Sequence, residues 1–238
     1  MRWPLIEVSR EQDCGGDGLT SGPRRAIKEI MDRQPVRRFS MIRDFQLADF
    51  FTLLNGFAGT GAVLSFMGFL VTRHSGRFWL GVGLLPIALV MDVLDGRIAR
   101  LRHETSPLGQ ELDSLADVVS FGVAPASMGF AVGLQGGWDA LCLVYFVGCG
   151  ISRLARYNAT AAQLADARGK VTHFEGMPIP SSLLIAMILA ALAAAGRWGD
   201  ALPFSIFRLG PADLHPLSLL YVLHGSAMIS KTLHIPKP

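Results

Sequence analysis

Four aspartates lie close together in an otherwise apolar part of the chain: Asp92, Asp95, Asp113 and Asp117. The first pair is spaced i,i+3 and the second pair i,i+4, so each pair occupies one face of a helix. Two helices that turned these faces toward each other would form a cage of four carboxylates. Carboxylates buried in an apolar bundle repel one another and are costly to desolvate, so a cation is expected between them. Oxygen ligands at this density favour a divalent metal such as Mg²⁺ or Mn²⁺.

The residues around the two pairs suit a phosphate-bearing ligand. Gly96 has no side chain and lets a ligand come close to Asp95. Arg100, one turn further on, can offer a bidentate fork to phosphate. Ala99 and Gly109 keep the two walls of this region small. If the aspartates bind two metal ions, these ions and the small walls would suit a phosphoryl group that undergoes in-line displacement.

The hydroxyl of Ser106 lies near a predicted helix start. It either hydrogen-bonds a ligand or caps the helix. A purely structural interpretation makes the aspartates caps and ion-pair partners for Arg97, Arg100 and Arg102. Four aspartates at this spacing beside two glycines disfavour that interpretation.

Composition favours one integral membrane domain. Half of the 238 residues are hydrophobic, and the mean hydropathy is +0.38. These values are too apolar for an ordinary soluble domain. The net charge of +3 is modest and indicates neither a nucleic-acid binder nor an acidic partner.

The apolar segments predict an all-α fold of six transmembrane helices, at approximately 47–71, 78–94, 107–132, 137–157, 179–196 and 214–230. The second segment ends at the first aspartate pair, and loops are predicted at 95–106, 158–178 and 197–213. Residues 1–45 are predicted as a cytoplasmic tail, whose basic part either is solvated or lies on the membrane as an amphipathic helix. Residues 46–238 are then the membrane domain.

The distribution of basic residues predicts the orientation. If both termini are cytoplasmic, all but four of the 22 Lys and Arg residues fall on the cytoplasmic side. The exceptions are Arg73, Arg77, Arg197 and Arg208. The positive-inside rule favours this placement, which puts the aspartates at the cytoplasmic end of the bundle.

The string Asp-x2-Asp-Gly-x2-Ala-Arg-x8-Gly-x3-Asp-x3-Asp, from Asp92 to Asp117, resembles the signature of the CDP-alcohol phosphotransferase family at all eight positions. The resemblance implies a six-helix membrane fold, usually a homodimer, in which an alcohol displaces CMP from a CDP-linked lipid. It implies that the four aspartates bind two divalent metals and that Asp117 is also the general base. Gly96, Arg100 and Ser106 would contact the CDP group. Asn55 either touches the nucleotide too or is a helix-packing amide.

The sequences flanking the motif resemble the branch of this family that uses L-serine as acceptor and CDP-diacylglycerol as donor, and in part its fungal-type members. The strings that carry this resemblance are 47–56, 112–126, 153–158, 174–180 and 230–238. The membrane is then a bacterial plasma membrane or the endoplasmic reticulum.

A serine acceptor needs a partner for its carboxylate. Arg153 and Arg156 are spaced i,i+3 at the end of the fourth segment and share a helix face. Tyr157 could shape the pocket and Asn158 could hydrogen-bond the acceptor. In the alternative interpretation, the arginines only mark the membrane boundary.

Two other functions stay open from the residues alone. The arginines would equally suit a phosphorylated acceptor such as glycerol 3-phosphate or inositol phosphate. Intramembrane aspartates also occur in cation transporters, although Arg100 would oppose a cation.

Overall fold

Helices make up most of the chain that the computed structural model describes, namely residues 47–102, 107–165, 173–175, 177–204, 206–210, 212–230 and 234–236. The predictions for the tail, residues 1–45, and for Ser106 lie outside these residues. The all-α prediction is confirmed for the membrane domain, apart from four short strands.

Helices α1 (Leu47–Thr72) and α2 (Ser75–Arg102) form a hairpin. They pack against each other more extensively than any other pair of elements in the described part of the chain. Arg73 in the short turn between them has a positive φ of 55°, which lets the chain reverse within two residues.

The third apolar segment is one continuous helix with a wide turn in its middle. It consists of α3 (Pro107–Asp117), a π-helix (Val118–Val123) and α4 (Ala124–Val132). In its most apolar stretch 67% of the residues are buried, against 28–33% in the other three long helices. This segment is therefore the central one, and its aspartates are surrounded by other helices.

The remaining elements enclose this central segment. Helix α5 (Gly137–Ala165) is followed by α6 (Leu183–Ala194) and α7 (Leu219–Ile229). The 3₁₀ turns are Ile179–Ser182, Gly199–Ala201 and Pro216–Ser218. Strand β1 (His173–Glu175) pairs antiparallel with β4 (His234–Pro236), and β2 (Phe207–Leu209) pairs antiparallel with β3 (Ala212–Leu214).

Buried hydrogen bonds from His215 to Asp139 fix the chain just before α7. Asp139, at the start of α5, accepts hydrogen bonds from the backbone N–H of His215 at 2.8 Å and from its ring Nδ1 at 2.6 Å. The same carboxylate accepts the backbone N–H of Gly136 at 3.0 Å. These bonds hold His215, which precedes α7, against the start of α5.

Four helices of the described residues are long and apolar enough to cross a membrane: Ala48–Thr72, Ser75–Leu101, Leu108–Val132 and Gly137–Ala159. Two further apolar helical segments, Ile179–Ala194 and Pro216–Ile229, are shorter. All six segments predicted from the sequence are helical, but length and composition support only four of them as spans.

Two predicted boundaries are wrong. Helix α2 continues to Arg102 rather than ending near residue 94, so Asp92 and Asp95 lie inside a helix and not at its end. Helix α5 continues to Ala165, into the predicted 158–178 loop. Hydropathy falls at both places, but the residues there include Arg, Ala, Leu and Gln, which favour helix regardless of polarity.

Candidate metal and phosphate site

The two aspartate pairs meet across the interface of α2 and α3. Carboxylate oxygens of Asp92, Asp95 and Asp113 all lie within 4.8 Å of one another. The i,i+3 spacing places the first two on the α2 face that α3 approaches. Three carboxylates so close together form a set of hard oxygen ligands that could hold a metal ion.

Asp117 completes the cluster from the end of α3. Its side chain is buried, and its carboxyl group lies beside that of Asp92. The residue lies where the α-helix gives way to the π-helix. Three of the four aspartates therefore converge as predicted, and Asp117 lies beside Asp92.

The carboxylate oxygens of the cluster are suitable ligands for a cation. Oδ1 of Asp113 is buried and has no hydrogen-bond donor among the described residues. A buried carboxylate oxygen normally has a partner. A bound divalent ion would provide one and would also offset the repulsion between neighbouring carboxylates.

Helix α1 contributes a polar face of which the sequence analysis singled out only Asn55. Asp49, Thr52 and Asn55 are spaced three residues apart in an apolar helix and are all buried. Thr52 Oγ1 donates to Asp95 Oδ2 at 2.8 Å, and Asn55 Nδ2 donates to Asp117 Oδ1 at 3.3 Å. Asp49 lies within electrostatic range of Asp95. The i,i+3,i+6 spacing of polar residues was the available signal.

Asn55 is fully buried and contacts the predicted base directly. Its Oδ1 atom has no donor among the described residues. The donating end of the amide therefore links two helices, and its oxygen is left for a further donor. Contact with a nucleotide stays a prediction.

Four of the residues proposed for CDP lie on the same two helices: Gly96, Ala99 and Arg100 on α2, and Gly109 on α3. A Cβ placed on Gly96 would meet only Nη2 of Arg100, at 3.8 Å, so the backbone beside Asp95 faces open space. Arg100 is exposed and donates from Nε to the carbonyl of Gly96 at 3.2 Å. Ala99 is half-buried one residue before it. Gly109 lies in the first turn of α3, one turn before Asp113.

The four residues proposed for binding the acceptor differ in their contacts. Arg153 is half-buried and within electrostatic range of Asp117, and its Nε has no acceptor among the described residues. Asn158 donates to Ser114 Oγ at 2.9 Å, which ties α5 to α3. Arg156 instead donates to the carbonyl of Ile229 at 3.3 Å, at the end of α7. Tyr157 is partly exposed.

Unpartnered polar atoms concentrate at this site. Six buried side-chain atoms in the described part of the chain have no hydrogen-bond partner. Four of them belong to residues already named: Asn55 Oδ1, Asp113 Oδ1, Arg153 Nε and Asn158 Oδ1. Buried polar groups are normally satisfied, so this concentration indicates a place prepared for a polar ligand.

A carboxylate cluster enclosed by apolar helices, with an arginine and amides around it, is typical of a functional site in a membrane protein. The model of the CDP-alcohol phosphatidyltransferase family matches residues 45–212. The chain belongs to this family, and the matched region contains all four aspartates.

Several curated relatives share one printed name, CDP-diacylglycerol–serine O-phosphatidyltransferase. The protein of that name from Saccharomyces cerevisiae is 45% identical over 203 residues, which cover 84% of this chain and 74% of the relative. The Mycobacterium leprae protein is 41% identical over 139 residues, or 56% of this chain and 46% of the relative. The Helicobacter pylori protein is 37% identical over 118 residues, or 49% of this chain and 48% of the relative. The chain thus spans about half the length of these two bacterial relatives.

Proposed function

We propose that the protein is a phosphatidylserine synthase, which transfers the phosphatidyl group of CDP-diacylglycerol to the hydroxyl of L-serine and releases CMP. The observation that carries this proposal is a cluster of three carboxylates, with Asp117 beside it and unpartnered polar atoms on Asn55, Arg153 and Asn158. The similarity to the yeast enzyme along 84% of the chain supports serine as the acceptor.

The four aspartates hold two divalent metal ions, Mg²⁺ or Mn²⁺. When bound, these ions neutralise the diphosphate and polarise its phosphorus–oxygen bonds. Asp92 and Asp95 present their carboxylates from α2, and Asp113 and Asp117 present theirs from α3. Thr52 keeps the Asp95 carboxylate in place through its 2.8 Å hydrogen bond.

Asp117 takes the proton from the serine hydroxyl. The hydroxyl oxygen forms a bond to the phosphorus that carries the diacylglycerol, and the bond from that phosphorus to the bridging oxygen of CMP breaks. Asn55 donates to one oxygen of the Asp117 carboxylate and so fixes the plane of the carboxyl group. The geometry of a general base matters as much as its proton affinity.

The CDP moiety lies along the wall made by Gly96, Ala99, Arg100 and Gly109, with Asn55 at its inner end, and Ser106 is predicted to contact it too. The open space beside Gly96 supports close approach of the diphosphate. The guanidinium of Arg100 is exposed and near this backbone, where it pairs with a phosphate oxygen.

Arg153 binds the serine carboxylate, and Asn158 hydrogen-bonds the same substrate. Two observations support this role for Arg153: it lies close to Asp117, and its buried Nε has no partner among the described residues. Arg156 and Tyr157 flank the acceptor from the same helix. The bond from Arg156 to Ile229 gives Arg156 a second task, fixing the end of α7 beside the acceptor region.

The protein crosses the membrane six times, with both termini and the active site on the cytoplasmic side, and works as a homodimer. The apolar helices Ile179–Ala194 and Pro216–Ile229 serve as the fifth and sixth spans. The excess of Lys and Arg on one side supports the orientation. The membrane is a bacterial plasma membrane or the endoplasmic reticulum.

The direct experiment uses purified full-length protein in detergent micelles that contain CDP-diacylglycerol, Mn²⁺ or Mg²⁺, and radiolabelled serine. Metal-dependent formation of labelled phosphatidylserine is the expected result. Incorporation of glycerol 3-phosphate or inositol phosphate in its place would assign the protein to a sister reaction. A cation transporter would form no labelled lipid at all, and the proximity of Arg153 to Asp117 argues against that function.

A further inference from the structure

Asn55 is held from two sides by the central helix. Its side-chain amide donates to Asp117 at 3.3 Å, and its backbone carbonyl accepts the hydroxyl of Ser120 at 2.9 Å. Asn55 and Ser120 are both 0% exposed. Asp117 and Ser120 are three residues apart, so both point toward α1 from one face of the central helix.

The helices come unusually close at this point. A Cβ on Gly59 would lie 2.7 Å from the Cα of Ser120 and would overlap its hydroxyl. A Cβ on Gly56 would lie 3.6 Å from the Cβ of Ala116. Glycines one turn apart on α1 therefore let the Ser120 hydroxyl reach a backbone carbonyl across the interface.

The contact lies where the central helix changes its winding. Ser120 belongs to the π-helix Val118–Val123, which begins directly after Asp117. A π turn is wider than an α turn, and single π turns are frequent at functional sites. The Ser120 bond connects this turn to α1, so it sets how α1 and the central helix are aligned at Asp117.

We propose that Ser120 is a positioning residue for Asp117 and acts through Asn55. It fixes the backbone of Asn55 so that the side-chain amide meets the Asp117 carboxylate. The inference rests on the proposed role of Asp117 as general base, and Ser120 itself does not touch substrate. Loss of the hydroxyl would leave Asp117 present but poorly oriented.

The test compares Ser120→Ala with Ser127→Ala in full-length protein. Ser127 lies on the same central segment, and among the described residues its hydroxyl bonds only to the Val123 carbonyl of that segment, at 2.9 Å. For Ser120→Ala we expect kcat to fall about tenfold, as for loss of one positioning hydrogen bond. The KM values for serine and CDP-diacylglycerol should stay within about twofold, because substrate contacts are intact. Ser127→Ala should leave kcat and both KM values unchanged.

A double-mutant cycle separates positioning from general destabilisation. In an Asn55→Ala background, Ser120→Ala should lower kcat no further, because the residue through which it acts is gone. An equal fall in both backgrounds, or a normal kcat in Ser120→Ala, would overturn the positioning role while the proposed reaction stands. A rise in KM without a fall in kcat would also overturn it. Absence of any serine-transfer activity in the unsubstituted protein would refute both.

Discussion

The hydroxyl of Thr52 on α1 donates a 2.8 Å hydrogen bond to Oδ2 of Asp95 on α2. The bond is buried, and it makes α1 part of the carboxylate site although α1 contributes none of the four aspartates of the motif. Partners of this kind orient metal ligands and set their basicity.

Replacing Thr52 by Val removes this donor and keeps the shape of the side chain. We expect the apparent affinity for Mn²⁺ to fall about tenfold or more, as for other groups that orient metal ligands. The measurement is the Mn²⁺ dependence of phosphatidylserine formation. Thr60→Val is the control, because Thr60 is exposed and bonds only to the Gly56 carbonyl of its own helix. An unchanged Mn²⁺ dependence in Thr52→Val would show that Asp95 does not need this bond.

Asp117→Asn should abolish turnover, with a loss of at least about a hundredfold, because a general base contributes that much or more. Binding of the nucleotide should partly survive, since three carboxylates remain. Activity is measured by serine incorporation, and binding by the Mn²⁺-dependent rise in Tm that CMP produces. The exposed Asp200→Asn serves as the control. Activity near normal in Asp117→Asn would disprove its assignment as base.

Arg153→Gln should raise the KM for serine about tenfold to a hundredfold, the loss expected when a charge-assisted hydrogen bond is removed. The KM for CDP-diacylglycerol should change little. Arg156→Gln should have the smaller effect on serine, because its guanidinium already bonds the Ile229 carbonyl. Arg197→Gln, on an exposed residue, is the control. A larger serine effect for Arg156 than for Arg153 would reverse the assignment.

Gly59→Ala should destabilise the protein by about 1–3 kcal/mol, the usual cost of overpacking. The added methyl group would meet the backbone of Ser120, which cannot turn aside as a flexible side chain can. The measurement is Tm in a fixed detergent. Gly83→Ala is the control, because no atom lies within 4 Å of a Cβ placed there. Equal Tm values for the two variants would indicate that α1 and the central helix separate easily at Gly59.

The spacing of the aspartates was enough to predict the cluster. Helical periodicity fixes which side chains share a face, and the cost of burying like charges requires the faces to surround a cation. The helices around the site were also predictable, because their apolar segments are long. The ends of α2 and α5 were not, since hydropathy falls before the helical backbone ends at Arg102 and Ala165.

The partners of the aspartates depend on which helices are neighbours, and sequence spacing alone does not contain that information. Thr52 and Ser120 look like ordinary hydroxyl residues until α1 is placed against α2 and the central helix. The partner of Arg156 was not predictable either. Its spacing matches that of a residue that binds a carboxylate, but its guanidinium bonds the Ile229 carbonyl at the end of α7. The π-helix after Asp117 has no signal in the pattern of apolar residues.

The central claim is tested most directly by offering three radiolabelled acceptors side by side to the purified protein with CDP-diacylglycerol and Mn²⁺. The acceptors are L-serine, glycerol 3-phosphate and inositol phosphate, each with and without EDTA. We expect labelled phosphatidylserine from serine alone, with one CMP released per lipid formed and no product in EDTA. Labelled lipid from either phosphorylated acceptor in place of serine, or serine transfer that persists in EDTA, would contradict it.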